Sequence, residues 1–256
     1  HTALRRQRQM CIRDSMYAMR LARAYTGKDK ILKFEGGYHG MSAEAQMSLS
    51  PSNSVNFPQP VPDSAGIPQN VENDVLVAPF NDLSFIESIV KEYKDEIAGI
   101  IVEPLQRIIP PIPGFLEGLR KICTDNHIIL IFDEIVTGFR LSYGGAQEKY
   151  NVTPDLCSLG KIIGGGFPLA AVAGSNEIMS HFDQSIVGKD KWLMQVGTLS
   201  GNPIASAAGL KTKEVLRREG MFDKLVNCGK EIMSCMSENL KKASVPHRIV
   251  GDPTLF

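Results

Sequence analysis

Apolar residues in this chain fall into short unbroken runs, separated by stretches in which they recur every three or four positions. From Ser15 to Tyr25, SMYAMRLARAY places Ala18, Leu21, Ala22 and Tyr25 on one helical face. Gly27 closes that helix, and KILKF follows as a short strand. Residues 50–74 are rich in Pro, Ser and Asn without periodicity and predict a long surface excursion, of the kind that usually serves function. Order then returns. VLVAPF predicts a strand, DLSFIESIVKEY a helix, IAGIIVEP a buried strand, GFLEGLRKICTDN a helix, HIILIFDE another buried strand, and LCSLGK and AAVAG two further apolar runs. Strands without alternation, divided by amphipathic helices, predict an α/β fold with a mainly parallel sheet covered by helices on both faces. After Gly201 the pattern turns helical, in NPIASAAGLKTKEVLRRE and MFDKLVNCGKEIMSCMSENLKKA, and HRIVGDPTLF begins a strand and stops. The chain reads as truncated at both ends.

Composition narrows the classes of function. Twenty-eight basic residues balance 28 acidic ones among 256, which argues against a nucleic-acid or membrane surface. No apolar run reaches the length of a membrane span. Five cysteines lie scattered without a CxxC pair and read as reduced thiols of a cytoplasmic protein. The basic start, HTALRRQRQMCIRDS, lacks the apolar core of a secretory signal.

Two charged residues interrupt the apolar runs. Asp133 stands at the carboxyl end of HIILIFDE, where open α/β sheets form their ligand crevice, and a carboxylate there wants a cationic partner. It also reads as an acid capping the next element. Lys161 follows LCSLG and precedes Gly164, Gly165 and Gly166; it reads either as an amine with a task or as one that snorkels to solvent. Neither the phosphate-loop pattern nor GxGxxG is met, because Asp155, Ile162 and Leu169 occupy defining positions. The glycines suggest a tight backbone path beside a bulky ligand. A buried acid and a buried lysine on neighbouring strand ends suit pyridoxal 5'-phosphate. The desolvated amine, its pKa lowered, forms a Schiff base with the aldehyde, and the acid keeps the pyridine nitrogen protonated. FEGGYHG puts Tyr38 and His39 after the strand KILKF, where an aromatic stacks on one face of the ring, and Ile135 packs on the other. Taken alone, Tyr38 is an ordinary loop aromatic. Thr198 and Ser200 stand before a helix, as phosphate ligands or as a plain cap.

Three motifs in order, LIFDEIVTGFR, TPDLCSLGKIIGGGFPLAAVAG and GTLSGNP, resemble those of class III pyridoxal-phosphate aminotransferases, on the branch of glutamate-1-semialdehyde aminomutase and its aminotransferase relatives. The resemblance implies the large domain of fold type I, with a seven-stranded, mainly parallel sheet, over residues 16–215. Residues 216–256 then form a helical connection into an incomplete small domain. It implies Lys161 as the Schiff-base lysine, Asp133 as partner of the pyridine nitrogen, Tyr38 as the stacking aromatic and Glu103 as an acid near the cofactor. Thr198 would reach the phosphate bound by the other subunit, so a homodimer with shared sites is implied. The activity implied is transfer of an amino group from an amino acid or amine to a keto or aldehyde acceptor through a pyridoxamine intermediate. The alternatives are internal 1,2-transfer by an aminomutase, or a non-catalytic remnant used for association. Two departures stand out. Where the family has a small-residue phosphate turn, this chain has RQRQMCIRDS, whose Asp14 sets a negative charge against a phosphate. Residues 1–15 are therefore read as foreign to the gene or disordered. Ile108 replaces a glutamate common in ω-aminotransferases, which leaves Arg107 either to meet a substrate carboxylate or to be a solvated surface residue.

Overall fold

The computed structural model describes residues 14–50, 56–198 and 200–256. Helix α1 (Asp14–Thr26) ends at Gly27, whose φ of +71° lets the chain turn into strand β1 (Lys30–Phe34). Among the described residues, the excursion that follows contains a 3-10 turn (Glu44–Gln46) and the short helix α2 (Gln69–Glu72) before β2 (Val75–Ala78). Then come α3 (Leu83–Tyr93), β3 (Ile97–Val102), α4 (Phe115–Asp125), β4 (Ile129–Glu134), α5 (Gly145–Tyr150), β5 (Leu156–Leu159) and β6 (Ala171–Gly174). Two short helices, α6 (Asn176–Met179) and α7 (Gln184–Val187), precede the long α8 (Pro203–Leu216) and α9 (Met221–Lys242). Among the described residues no helix is long and apolar enough to cross a membrane.

The sheet order is β2-β1-β3-β4-β5-β6, parallel except where β6 runs against β5. Because β2 and β3 flank β1 on opposite sides, the winding reverses there, and the crevice at the carboxyl ends of β1 and β3 is where such sheets bind ligands. The side chains divide by parity. Leu32, Phe34, Ile100, Val102, Leu130 and Phe132 face one core under α3 and α4, where Phe34, Phe80 and Phe115 meet edge to face. Ile31, Ile101, Ile129 and Ile131 face a second core under α1, contributed by Tyr17, Ala18, Leu21 and Ala22. Both faces are thus dry, which is why the strands show no alternation.

Three expectations need correction. Asp14 and Ser15 are not outside the fold: α1 begins at Asp14 and both residues are buried. The C-terminal HRIV is not a strand. The only pairing among residues 246–256 is the local bridge of Asp252 with Leu255, since no neighbouring strand among the described residues offers a ladder and Gly251 turns the backbone at φ +109°. The sheet has six strands among the described residues where the resemblance implies seven.

Candidate active site

Four strands deliver side chains to one edge of the sheet. The loop after β1 brings Tyr38 and His39, the end of β3 brings Glu103, β4 ends at Asp133 and Glu134, and β5 leads through Gly160 to Lys161. They meet in a cavity of about 170 Å³ lined by Tyr38, His39, Glu103, Arg107, Asp133, Ile135 and Lys161, with Ser15, Gly40 and Val136. Of the residues singled out from the sequence, Tyr38, His39, Glu103, Arg107, Asp133, Ile135 and Lys161 are brought together here. Thr198 is not; it is exposed, in a turn before α8.

Asp133 is the centre of the polar network. Its residue is 4% exposed. Oδ2 accepts from Ser15 Oγ at 2.7 Å and lies 2.8 Å from His39 Nδ1; Oδ1 accepts from Ser158 Oγ at 3.1 Å and from the Ile135 N–H at 3.2 Å. Burial pushes this carboxyl up, but the hydrogen bond and charge of His39, then the Ser15 and Ile135 donors, outweigh it and hold it below its ordinary value. An ionised carboxylate only accepts, so Nδ1 of His39 carries the proton. The partner that a desolvated Asp133 requires is therefore His39, itself buried and with Nε2 lacking a hydrogen-bond partner among the described residues. Ser158 faces Asp133 because β4 and β5 pair them directly in register.

Glu103 fastens two loops together. Oε1 accepts the Tyr38 N–H at 2.6 Å and Oε2 the Arg107 N–H at 3.2 Å. The Arg107 guanidinium lies 5.6 Å from the Tyr38 ring centroid, and its Nε donates to the Gly36 carbonyl at 2.9 Å. Gln106 Nε2 donates to the Glu35 carbonyl at 2.7 Å.

Lys161 departs from the expectation of a buried amine. The residue is exposed at the cavity, at the start of a 3-10 turn (Lys161–Gly164), and its φ of +47° lies in the left-handed region that costs a non-glycine residue free energy. Of the glycines beside it, Gly166 faces open space, but Gly165 makes room for a helix and not for a ligand. A Cβ on Gly165 would overlap the Thr212 side chain of α8, and one on Gly209 would press on Leu169 and the Ile163 carbonyl. Their smallness lets α8 pack onto this turn.

Two buried charges escaped the sequence reading or differ from it. Lys33, inside β1 and 1% exposed, donates to the Ala45 carbonyl at 3.2 Å and to the Met47 carbonyl. Burial brings its amine down to about 7. Asp14 is fully buried with neither carboxyl oxygen hydrogen-bonded among the described residues, and burial, then the Asp133 charge, raises it to about 8. Near pH 7 it is mostly neutral, so the negative charge expected there is largely absent.

A family model described as Aminotransferase class-III matches residues 13–256. An omega-transaminase from Sphaerobacter thermophilus is 38% identical with a TM-score of 0.90, over 97% of this chain and 57% of that one. A transaminase solved with PLP bound is 27% identical, TM-score 0.87, over 97% and 57%. A glutamate-1-semialdehyde-aminomutase from Pseudomonas aeruginosa PAO1 is 25% identical, TM-score 0.78, over 95% and 55%. The chain thus spans a little over half the length of these solved relatives. With the parallel sheet and the family model in agreement along nearly its whole length, the chain belongs to the class III aminotransferase family.

Proposed function

We propose that this chain carries the cofactor-binding domain of a cytoplasmic, homodimeric, pyridoxal 5'-phosphate-dependent aminotransferase, which moves an amino group from an amino acid or amine to a keto or aldehyde acceptor. The observation that carries the reading is the convergence of an ionised buried carboxyl, Asp133, an aromatic ring, Tyr38, and an amine, Lys161, on one cavity at the carboxyl edge of the sheet. That donor set fits the group, and a 27% identical transaminase is solved with it bound. When bound, the cofactor supplies an electron sink for charge developing at the substrate carbon.

The chain's residues divide the work. Lys161 would hold the cofactor through its amine and would move the proton at the substrate carbon. Asp133 would keep the ring nitrogen of the cofactor protonated. Ser15, Ser158 and the Ile135 N–H, which hydrogen-bond the same carboxylate, would help to keep it ionised. His39 fixes the orientation of Asp133. Tyr38 and Ile135, both on the cavity wall, would pack against the ring, and Glu103 holds the Tyr38 loop in place. Thr198, exposed away from the cavity, serves the partner subunit's phosphate. Transfer between two substrates is favoured over internal transfer by the higher identity to the omega-transaminase than to the aminomutase.

The test is reduction with borohydride after adding pyridoxal phosphate, followed by peptide mapping. The expected product is a cofactor adduct on Lys161, absent from Lys161→Arg and reduced in Asp133→Asn. Labelling elsewhere, or none on a chain extended to the relatives' length, overturns the assignment. Sedimentation equilibrium on the same sample is expected to give a dimer; a monomer that still takes up cofactor removes the role of Thr198.

A further inference from the structure

Lys33 is a buried amine that none of the roles above uses. It stands one residue before the end of β1 and two after Ile31, so it faces the core under α1, where Ala45 is also buried. An apolar side chain would fill that position more simply. What the lysine reaches is the loop that leaves β1, carries Tyr38 and His39 to the cavity and comes back; the Gly36 N–H closes it by donating to the Ser48 carbonyl at 2.8 Å. The Lys33 amine donates to the Ala45 carbonyl at 3.2 Å and to the Met47 carbonyl, both on the returning limb. Ala45 and Met47 are themselves buried, and no other donor reaches either carbonyl among the described residues.

The two limbs of this loop are held differently. The outgoing limb is fixed to the sheet, the Tyr38 N–H by Glu103 and the His39 ring by Asp133. The returning limb bonds mostly to the excursion: the Ser48 N–H donates to the Val61 carbonyl at 2.8 Å, and Asp63 accepts the Leu49 N–H at 2.5 Å and the Ser50 N–H at 2.9 Å. Ser48 is buried with a φ of +51°, a conformation that costs a non-glycine residue free energy and persists only where its surroundings impose it. With a methyl-tipped side chain at position 33, two buried carbonyls would lose their donor, and the limb would have to move to satisfy them. We infer that Lys33 is a positioning residue, which fixes Tyr38 and His39 at the cavity by tying the returning limb of their loop to β1. The tie itself does not depend on the cofactor; its consequence for cofactor binding rests on the amino-transfer reading.

The test is hydrogen exchange read by mass spectrometry on the 256-residue chain, with pyridoxal phosphate affinity followed by absorbance on the same samples. In Lys33→Met the amides of residues 38–49 are expected to exchange about 10- to 100-fold faster, the range for buried carbonyls that lose their donor, while those of β3 and β4 keep their rates. Lys33→Gln, whose side-chain amide offers two N–H donors without a charge, is expected to recover part of the protection. Cofactor affinity is expected to fall in the same order, from wild type through Lys33→Gln to Lys33→Met. The inference is overturned if the loop of Lys33→Met exchanges like the wild type's, or if Lys33→Gln protects it no better than Lys33→Met. It is overturned too if Lys33→Met does not fold or its strands speed up as much as the loop, because the lysine then supports the sheet. Cofactor affinity equal in all three chains has the same force, since the loop is then not placed for the ligand. A wild-type chain that takes up no cofactor, even when extended to the relatives' length, removes the amino-transfer reading and leaves the exchange rates to decide the role of Lys33.

Discussion

At Gly145 the backbone runs at φ +71°, and a Cβ there would overlap the Glu134 carboxylate. That carboxylate is buried and satisfied, accepting from Ala146 N–H at 2.6 Å, Gln147 Nε2 at 2.7 Å and Thr137 Oγ1 at 3.1 Å. Gly145→Ala therefore combines left-handed strain with overpacking beside a buried charge, and is expected to destabilise the fold by about 2–4 kcal/mol. The urea midpoint measures it; an unchanged midpoint would show that the loop relaxes freely. Nothing in the sequence distinguished this glycine, nor Ser15 and Ser158, the hydroxyl donors to Asp133. Small polar residues carry no periodicity, and what they touch depends on which strands lie side by side. Asp133 and Lys161 were legible because a charge within or against an apolar run demands a reason. Lys33 makes the same demand inside KILKF and was passed over, because a five-residue strand with lysines at two positions resembles a half-solvated edge.

Helix boundaries were read well where a glycine or a cap marks them. For α8 the expected caps were Thr198 and Ser200, but the residue at the N-terminus is Asn202, whose Oδ1 accepts the Ile204 N–H at 3.0 Å and the Ala205 N–H at 3.1 Å, with Pro203 opening the first turn. Asn202→Ala is expected to cost about 1 kcal/mol, read as a shift of the unfolding midpoint, whereas Thr198→Ala should leave stability within about 0.5 kcal/mol. Equal effects of the two would show that the 198–202 turn is a single capping unit. The same logic explains the strand that failed. HRIV has strand-forming residues, but a strand needs a neighbour's ladder, and the nearest pairing its surroundings offer is the local turn at Asp252.

Over the whole molecule, two buried groups tie stability to pH in opposite senses. Asp14, raised from 3.8 to about 8, binds a proton in the folded state that the unfolded chain has released. The stability it contributes is full below about pH 4 and is lost as pH rises through about 8. Lys33, lowered from 10.5 to about 7, is charged in the unfolded chain and largely neutral when folded between these values. Its contribution therefore increases as pH rises from about 7 towards 10.5. Each limb has a limiting slope of about 1.4 kcal/mol per pH unit. Denaturation midpoints across pH 4–10 are expected to show Asp14→Asn flattening the fall on the acid side and Lys33→Met removing the rise on the alkaline side. A variant whose profile parallels the parent's would show that its group keeps an ordinary pKa in the fold.

The sequence by itself determined the class of fold, the succession of elements and the pair of charged residues at the strand ends. Dry faces impose unbroken apolar runs, and a charge among them carries its own cost. Only the tertiary structure decided that His39 answers Asp133, that Ser15 and Ser158 complete its shell, that Gly165 admits a helix and that Arg107 is clamped over Tyr38. These are contacts between segments 25 to 118 residues apart, set by strand order and register, and local pattern holds no record of either.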